Sequence, residues 1–230
     1  MTSFLAKSID WEITLTGQVL TLGLLSNILY SEPELAMLQQ LAEEAVFSEV
    51  PFAETQPKTI AGLKLLTNWS KRLLSDVKVM AFEEVKVDYV RLLVGTEDFN
   101  TPPWESVYFN DERMIFQEET LKVRAWYRRF GLASEKLYNE PDDHIALEIS
   151  FIAHLASLSL EAINANDQST FEKTLMAQHD FLEEHLLQWA PTWCTLLYEN
   201  ARTDFYKGVA LLLQGVLIEL GEIFDIQASR

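Results

Sequence analysis

Along almost the whole of this 230-residue chain apolar residues recur three and four positions apart, and strict alternation never persists for more than a few residues. That period stacks side chains on one face of a helix and would scatter them over both faces of a strand, so the chain reads as all-α. Eight glycines and seven prolines are too few for a turn-rich β architecture. Hydrophobic residues make up 48% of the chain, enough for a sizeable core without disulfides. The single cysteine, Cys194, can close no intramolecular bridge and complete no Cys-x-x-Cys pair, which points to a reducing compartment. No secretory pattern opens the chain, since Lys7 is followed by Asp10 and Glu12, and a cytoplasmic location is expected.

A first helix is expected from about Asp10 to Tyr30. Its uncharged stretch is broken up by Thr14, Thr16, Gln18, Thr21, Ser26 and Asn27, which reads as a core-facing helix rather than a membrane span. Ser31 and Glu34 form a capping-box pair for a second helix with Pro33 in its first turn. Pro51 and Pro57 bound a linker, helices follow over Thr59 to Ser75 and Val77 to Val94, and Gly95 stands where a left-handed C-cap is needed. From 95 to 117 the helical period disappears while prolines and aromatics gather, the mark of an ordered, function-bearing loop. A helix from Glu118 to Phe130 ends at Gly131, and the connection 132–141 is the best domain boundary. Beyond it helices are expected over Asp142 to Ala165, from a Ser169/Glu172 capping box to Trp189, from Pro191 to Ala201, and from Thr203 to Phe224. Gly208 and Gly215, seven apart, would let another helix approach closely.

Lys and Arg number 18 against 35 Asp and Glu, a net charge of −17. Such a chain repels phosphate backbones and anionic headgroups, which disfavours nucleic acid, and it suits a cationic partner as well as plain solubility. The four histidines, at 144, 154, 179 and 185, are preceded three residues earlier by Pro141, Phe151, Met176 and Leu182, so no Glu-x-x-His pair for a carboxylate-bridged di-iron site exists. Zincin spacing, a phosphate-binding Gly-Lys loop and a Gly-x-Ser-x-Gly elbow are absent too. No catalytic residue is assigned.

Two constellations stand out. Glu140-Pro141-Asp142-Asp143-His144, continuing to Glu148, gathers carboxylates and an imidazole at a helix start. Asp142 or Asp143 as N-cap is a sufficient structural account of one of them. At 100° per residue His144, Glu148, Phe151 and Leu155 fall within about 60°, so His144 and Glu148 extend the apolar stripe and should be partly buried. A metal-dependent helical hydrolase or small-ligand binder built on Asp142, Asp143, His144, Glu148 and His154 is the competing use of this cluster. The second constellation, Pro102, Pro103, Trp104 and Tyr108 within Thr101 to Phe109, either presents a stiff amphipathic groove to an apolar peptide or pins the loop to the core, and both can hold. In the stretch DYVRLLVG at 88–95, Leu92 should turn inward and Arg91 should lie near terminal carbonyls.

Taken together, DYVRLLVG at 88–95, PPWESVY at 102–108 with Arg113 and Gln117, EPDDHIALE at 140–148 and HLLQWAPTW at 185–193 resemble the TorD/DmsD family, in order and spacing as well as in content. Leu93, Ala146 and Ile149 stand where Phe, Gly and Leu are frequent, and residues 1–80 carry little of the pattern. The resemblance implies an all-helical cytoplasmic chaperone, not an enzyme, with no resident cofactor or metal. It would bind an apo molybdoenzyme of the dimethyl sulfoxide reductase type and its twin-arginine signal peptide, assist molybdenum-cofactor insertion and hold back export until maturation. Motif matching places binding on Pro103, Trp104, Asp143 and His144, with Pro102, Tyr108, Pro141, Asp142 and Glu148 beside them. On this basis Asp143→Ala and His144→Ala are expected to weaken binding and leave folding intact. The resemblance further implies an N-terminal part (1–137), a hinge (138–143) and a C-terminal part (144–230), with a monomer and a domain-swapped homodimer both open, and membrane contact peripheral at most.

Overall fold

The computed structural model describes residues 3–95, 100–110, 112, 114–132 and 140–226. Arg113, most of the connection 132–141, and residues 138 and 139 of the expected hinge lie outside that set. The helices are α1 (Trp11–Tyr30), α2 (Leu35–Glu43), α3 (Pro57–Leu73), α4 (Lys78–Tyr89), α5 (Glu118–Arg129), α6 (Ile145–Asn164), α7 (Gln168–Phe181), α8 (Leu187–Asn200) and α9 (Asp204–Phe224). π turns follow α4 (Val90–Val94) and α7 (Leu182–Leu186), and a 3₁₀ turn spans Glu105–Tyr108. Among the described residues no strand forms, as the period predicts.

The helix starts follow local chemistry, though often from other residues than the sequence suggests. Asp10 accepts the Ile13 N–H at 3.2 Å ahead of α1, and Pro57 occupies the first turn of α3, where a missing N–H costs nothing. The Ser31/Glu34 capping box does not form: α2 begins at Leu35 with extended Glu34 as its N-cap and no side-chain bond, because Glu32, preceding Pro33, is pushed towards extended backbone. Nor does the Ser169/Glu172 box form. Asp167 lies two residues earlier and takes the Thr170 N–H at 3.0 Å and its hydroxyl at 2.6 Å. Pro191 lies inside α8 rather than at its start; its missing N–H falls where α8 is only beginning to close its ladder, just after a wide π turn. Gly95 has φ 99° and ψ 143°, a positive-φ backbone open to glycine but more extended than the left-handed cap expected there.

The chain divides into two compact units interleaved along the sequence. The first comprises residues 1–30, 103–190 and 221–230. Here α1 packs along α6, and α6 along α7. Both α1 and α6 are long and apolar enough to cross a membrane by length and composition, so the polar residues of α1 do not disqualify it as expected. In the fold 44% and 61% of their apolar windows are buried. Tyr127, Phe151 and Phe181 form the aromatic centre, with Trp126 and Phe130 against them.

The second unit comprises residues 31–102 and 191–220. Gly62 on α3 faces Gly208 and Leu212 on α9, and a methyl group on Gly215 would lie 2.2 Å from Thr59 Oγ1. The seven-residue glycine spacing therefore serves the close helix approach it predicts. Trp69 and Phe47 pack against Phe205. Asp88, buried on α4, accepts the N–H groups of Arg202 and Thr203, each at 2.9 Å, and the Thr203 hydroxyl at 2.8 Å. This puts an anion at the start of α9, where the helix dipole favours it. Arg91 pairs with Asp88 at 2.6 Å and donates to the Asn200 carbonyl at the end of α8. The arginine does meet terminal carbonyls, but those of a distant helix.

Candidate functional site

In the first unit the two constellations come together. Trp104 and His144 pair as an isolated antiparallel bridge: the Glu105 N–H donates to the Asp143 carbonyl at 2.9 Å and the Ile145 N–H to the Pro103 carbonyl at 2.8 Å. Neither aspartate caps its own helix. His144 does so, its Nδ1 accepting the Ala146 N–H at 3.1 Å, which leaves Nε2 to carry the proton of the neutral ring. That ring lies edge-on to Tyr30 and to Trp104, with centroids at 5.6 and 6.2 Å.

Asp143 is diverted across the chain, accepting the Ser106 N–H at 2.8 Å and the Thr120 hydroxyl at 2.7 Å. Asp142 takes both Nε and Nη2 of Arg124 at 2.7 Å, and its carbonyl accepts the Tyr127 hydroxyl at 3.0 Å. Thr120, Arg124 and Tyr127 share one face of α5, so that helix acts as a splint for the 142–143 corner. The Trp104 indole donates to Glu140 at 2.8 Å.

A second set of buried ionisable groups packs beneath the bridge. His185, on the π turn, donates Nδ1–H to both oxygens of Glu105, at 3.0 and 3.1 Å. The Trp189 indole donates to Glu148 at 3.2 Å and stacks near Tyr108 at 5.2 Å. Burial, then the carboxylates of Glu105 and Asp143, push the Glu148 carboxyl well above the usual carboxylate range. Burial also raises Glu105, with His185 opposing the shift.

Of the residues singled out from the sequence, Pro103, Pro141, Asp142, Asp143, His144 and Glu148 are buried here, and Trp104 and Tyr108 are half-buried. Pro102 is buried in the second unit. His144 and Glu148, expected to be partly buried, are more deeply buried than that, at 5% and 0% accessible. His154 is half-buried, with its pKa lowered by burial. Among the described residues no group of three or more His, Cys, Asp or Glu side chains is arranged to hold a metal ion. Glu105, Thr120, Arg124, His185 and Trp189 carry the geometry although the sequence gives them no role. The i, i+4, i+7 spacing of Thr120, Arg124 and Tyr127 is a signal that could have found the splint.

Above the buried lattice stands an apolar rim. Phe109, Met114, Ile115, Phe116 and Leu121 are all exposed, and Phe116, Thr120, Leu121 and Arg124 line a surface pocket of about 330 Å³. Phe116 holds a left-handed φ of 59°, uncommon for a bulky residue. Asn110 ties the rim to the turn, donating to the carbonyls of Ser106 and Met114 and accepting the Met114 N–H at 2.8 Å.

The site is thus a buried polar lattice beneath an exposed apolar rim, on an all-helical scaffold. The sequence profile of the nitrate reductase delta subunit family matches residues 56–195, and the chain belongs to that family. It is similar to "Chaperone protein TorD" of Aliivibrio fischeri, with 27% identity over 130 residues, 56% of this chain and 59% of the relative. It is also similar to "Probable Tat proofreading chaperone DmsD" of Haemophilus influenzae, with 32% identity over 130 residues, 56% and 57% of the two chains. "Chaperone protein TorD" of Vibrio cholerae is 30% identical over 129 residues, with the same coverage. These relatives are named as chaperones, not enzymes, and they are of the TorD/DmsD type that the motifs resemble. The chain spans less than two thirds of the length of the curated relatives it matches.

Proposed function

We propose that the chain is a chaperone that binds an apo molybdoenzyme of the dimethyl sulfoxide reductase type and its twin-arginine signal peptide, assists molybdenum-cofactor insertion and holds back export until the cofactor is in place. Family membership and the relatives' names support this reading. The observation that carries it is the apolar rim at 109–121, exposed on a chain of net charge −17. A leader of this kind has a cationic start and a long apolar stretch. The rim suits the apolar stretch, and Glu112 and Glu119 in the same segment suit the cationic start. In this reading Trp104 and Tyr108 form the edge that meets the peptide. Pro103, Pro141, Asp142, Asp143, His144 and Glu148 act from beneath by holding that edge, and Pro102 stiffens the chain leading into it.

Such a chaperone works in the cytoplasm, with no nucleic-acid partner and membrane contact at most peripheral. Segment 138–143 is its hinge, through which two copies would exchange parts to form a swapped dimer, the monomer being the unexchanged form. Calorimetric titration with a synthetic twin-arginine leader tests the reading. Saturable binding that weakens with added salt is expected, and equal binding of a scrambled, charge-matched peptide overturns it.

A further inference from the structure

The acidic side chains beneath the rim outnumber the basic ones bonded to them. Asp142 has Arg124 and Glu105 has His185, but Glu148 comes from α6 into the same interior with only the Trp189 indole on Oε2. Among the described residues no donor reaches its Oε1. The Glu105 carboxyl faces Glu148 closely enough to raise it, so a proton on Glu148 replaces the repulsion of two anions by the pairing of an acid with a carboxylate. Without that proton two anions face each other where water does not enter, a costly arrangement. Asp143, Glu119 on α5, the solvent-side Lys122 on the same helix and the Tyr127 phenol are the other titratable groups facing the pair. Asp143 and Glu119 add negative charge, and Tyr127, its pKa pushed well up by burial, adds none.

The pair is connected to the surface at both ends. Glu105 opens the 3₁₀ turn that ends at Tyr108, and Trp189, bonded to Glu148, stacks near the Tyr108 ring. We propose that Glu105, Glu148 and His185 form a proton-sharing cluster that positions the turn bearing Tyr108, and that peptide binding at the rim is strongest while Glu148 holds its proton. The inference rests on reading the rim as a peptide site. Its sign follows from the raised Glu148 carboxyl: below that value the pair is held together, and as pH rises through it the proton leaves, the acids repel and the turn loosens.

The test pairs two measurements on the full chain. Carbon-13 NMR of the glutamate carboxyls is expected to show the Glu148 carboxyl titrating above the usual range in wild type, a titration missing from Glu148→Gln. Titration with the synthetic twin-arginine leader from mildly acidic to alkaline pH is expected to show affinity falling about tenfold, the equivalent of one pKa unit of coupling. Glu148→Gln, a neutral isostere, should match wild type at acid pH and lose the slope. Glu105→Gln, removing the other half of the shared proton, should lose it too and serves if the first variant does not fold. A flat wild-type profile, a slope surviving in a folded variant, or no raised carboxyl in the NMR titration overturns the inference. A raised carboxyl without leader binding at any pH supports the cluster and overturns the peptide reading instead.

Discussion

The buried carboxylate of Asp88 in the second unit and the buried acids beneath the rim in the first use the same chemistry to different ends. Asp88 meets two backbone N–H groups, a hydroxyl and an arginine, so one anion faces one cation and a helix N-terminus. That arrangement is a fastener, and no ligand is needed to complete it. In the first unit Asp142 copies it through Arg124, but Asp143 is held by neutral donors, Glu105 meets the His185 imidazole, and Glu148 meets only the Trp189 indole. A fully matched polar network fixes a scaffold, whereas a network with surplus charge is one whose geometry responds to a proton or a partner. The surplus lies beneath the exposed aromatics, and the matched network does not.

The comparison is tested most severely at Asp88. Asp88→Ala leaves three donors at the start of α9 without their acceptor and Arg91 without its carboxylate, and should cost about 3–5 kcal/mol in chemical denaturation. A loss below about 1 kcal/mol would remove the distinction between fastener and responsive network. Asp143→Ala leaves the Ser106 N–H and the Thr120 hydroxyl buried without an acceptor, and should cost about 2–4 kcal/mol. The expectation from sequence, that this aspartate can be removed without harm to folding, does not survive its complete burial. A smaller effect separates the two networks by pH. The stability that Glu148 contributes is present below the ordinary glutamate range and is lost as pH rises through its raised value. Thermal unfolding followed over pH should therefore show a decline in wild type that Glu148→Gln flattens.

The sequence carries the fold through its period, because apolar spacing alone selects helices, and α1 and α9 begin within a residue of their expected starts. It misplaces caps, since several residues near each helix start can act as cap and packing decides where the helix begins. Asp143 looks like an N-cap until Ser106, 37 residues away, claims its carboxylate. The segments 102–108 and 140–148 are legible as site material, since their composition breaks the helical pattern around them. Their partners are not. Glu105 meets His185 across 80 residues, and Arg124 on α5 looks like any solvated helix charge until the fold turns it onto Asp142. Burial is equally hidden: a row of acids reads as surface, and here much of it is interior.

The smallest structural effect with the most specific functional one is expected at the rim. Phe116 and Leu121 stand exposed on the first unit, and Val79 and Val87 are exposed at least as fully on the second. Exposed apolar side chains away from special contacts contribute little to folding, so Phe116→Ser, Leu121→Ser, Val79→Ser and Val87→Ser should each leave stability within about 0.5 kcal/mol of wild type. If the rim receives the apolar stretch of a leader, the first two should weaken leader binding by about tenfold, the scale of a side chain costing more than 1 kcal/mol at an interface, and the valine variants should not. Equal losses from both pairs would mean that the peptide follows exposed apolar area wherever it occurs. Loss confined to Phe116 and Leu121 would tie recognition to an apolar surface whose underlying charge is incompletely matched, and so join the chemistry of the buried acids to the selectivity of the surface above them.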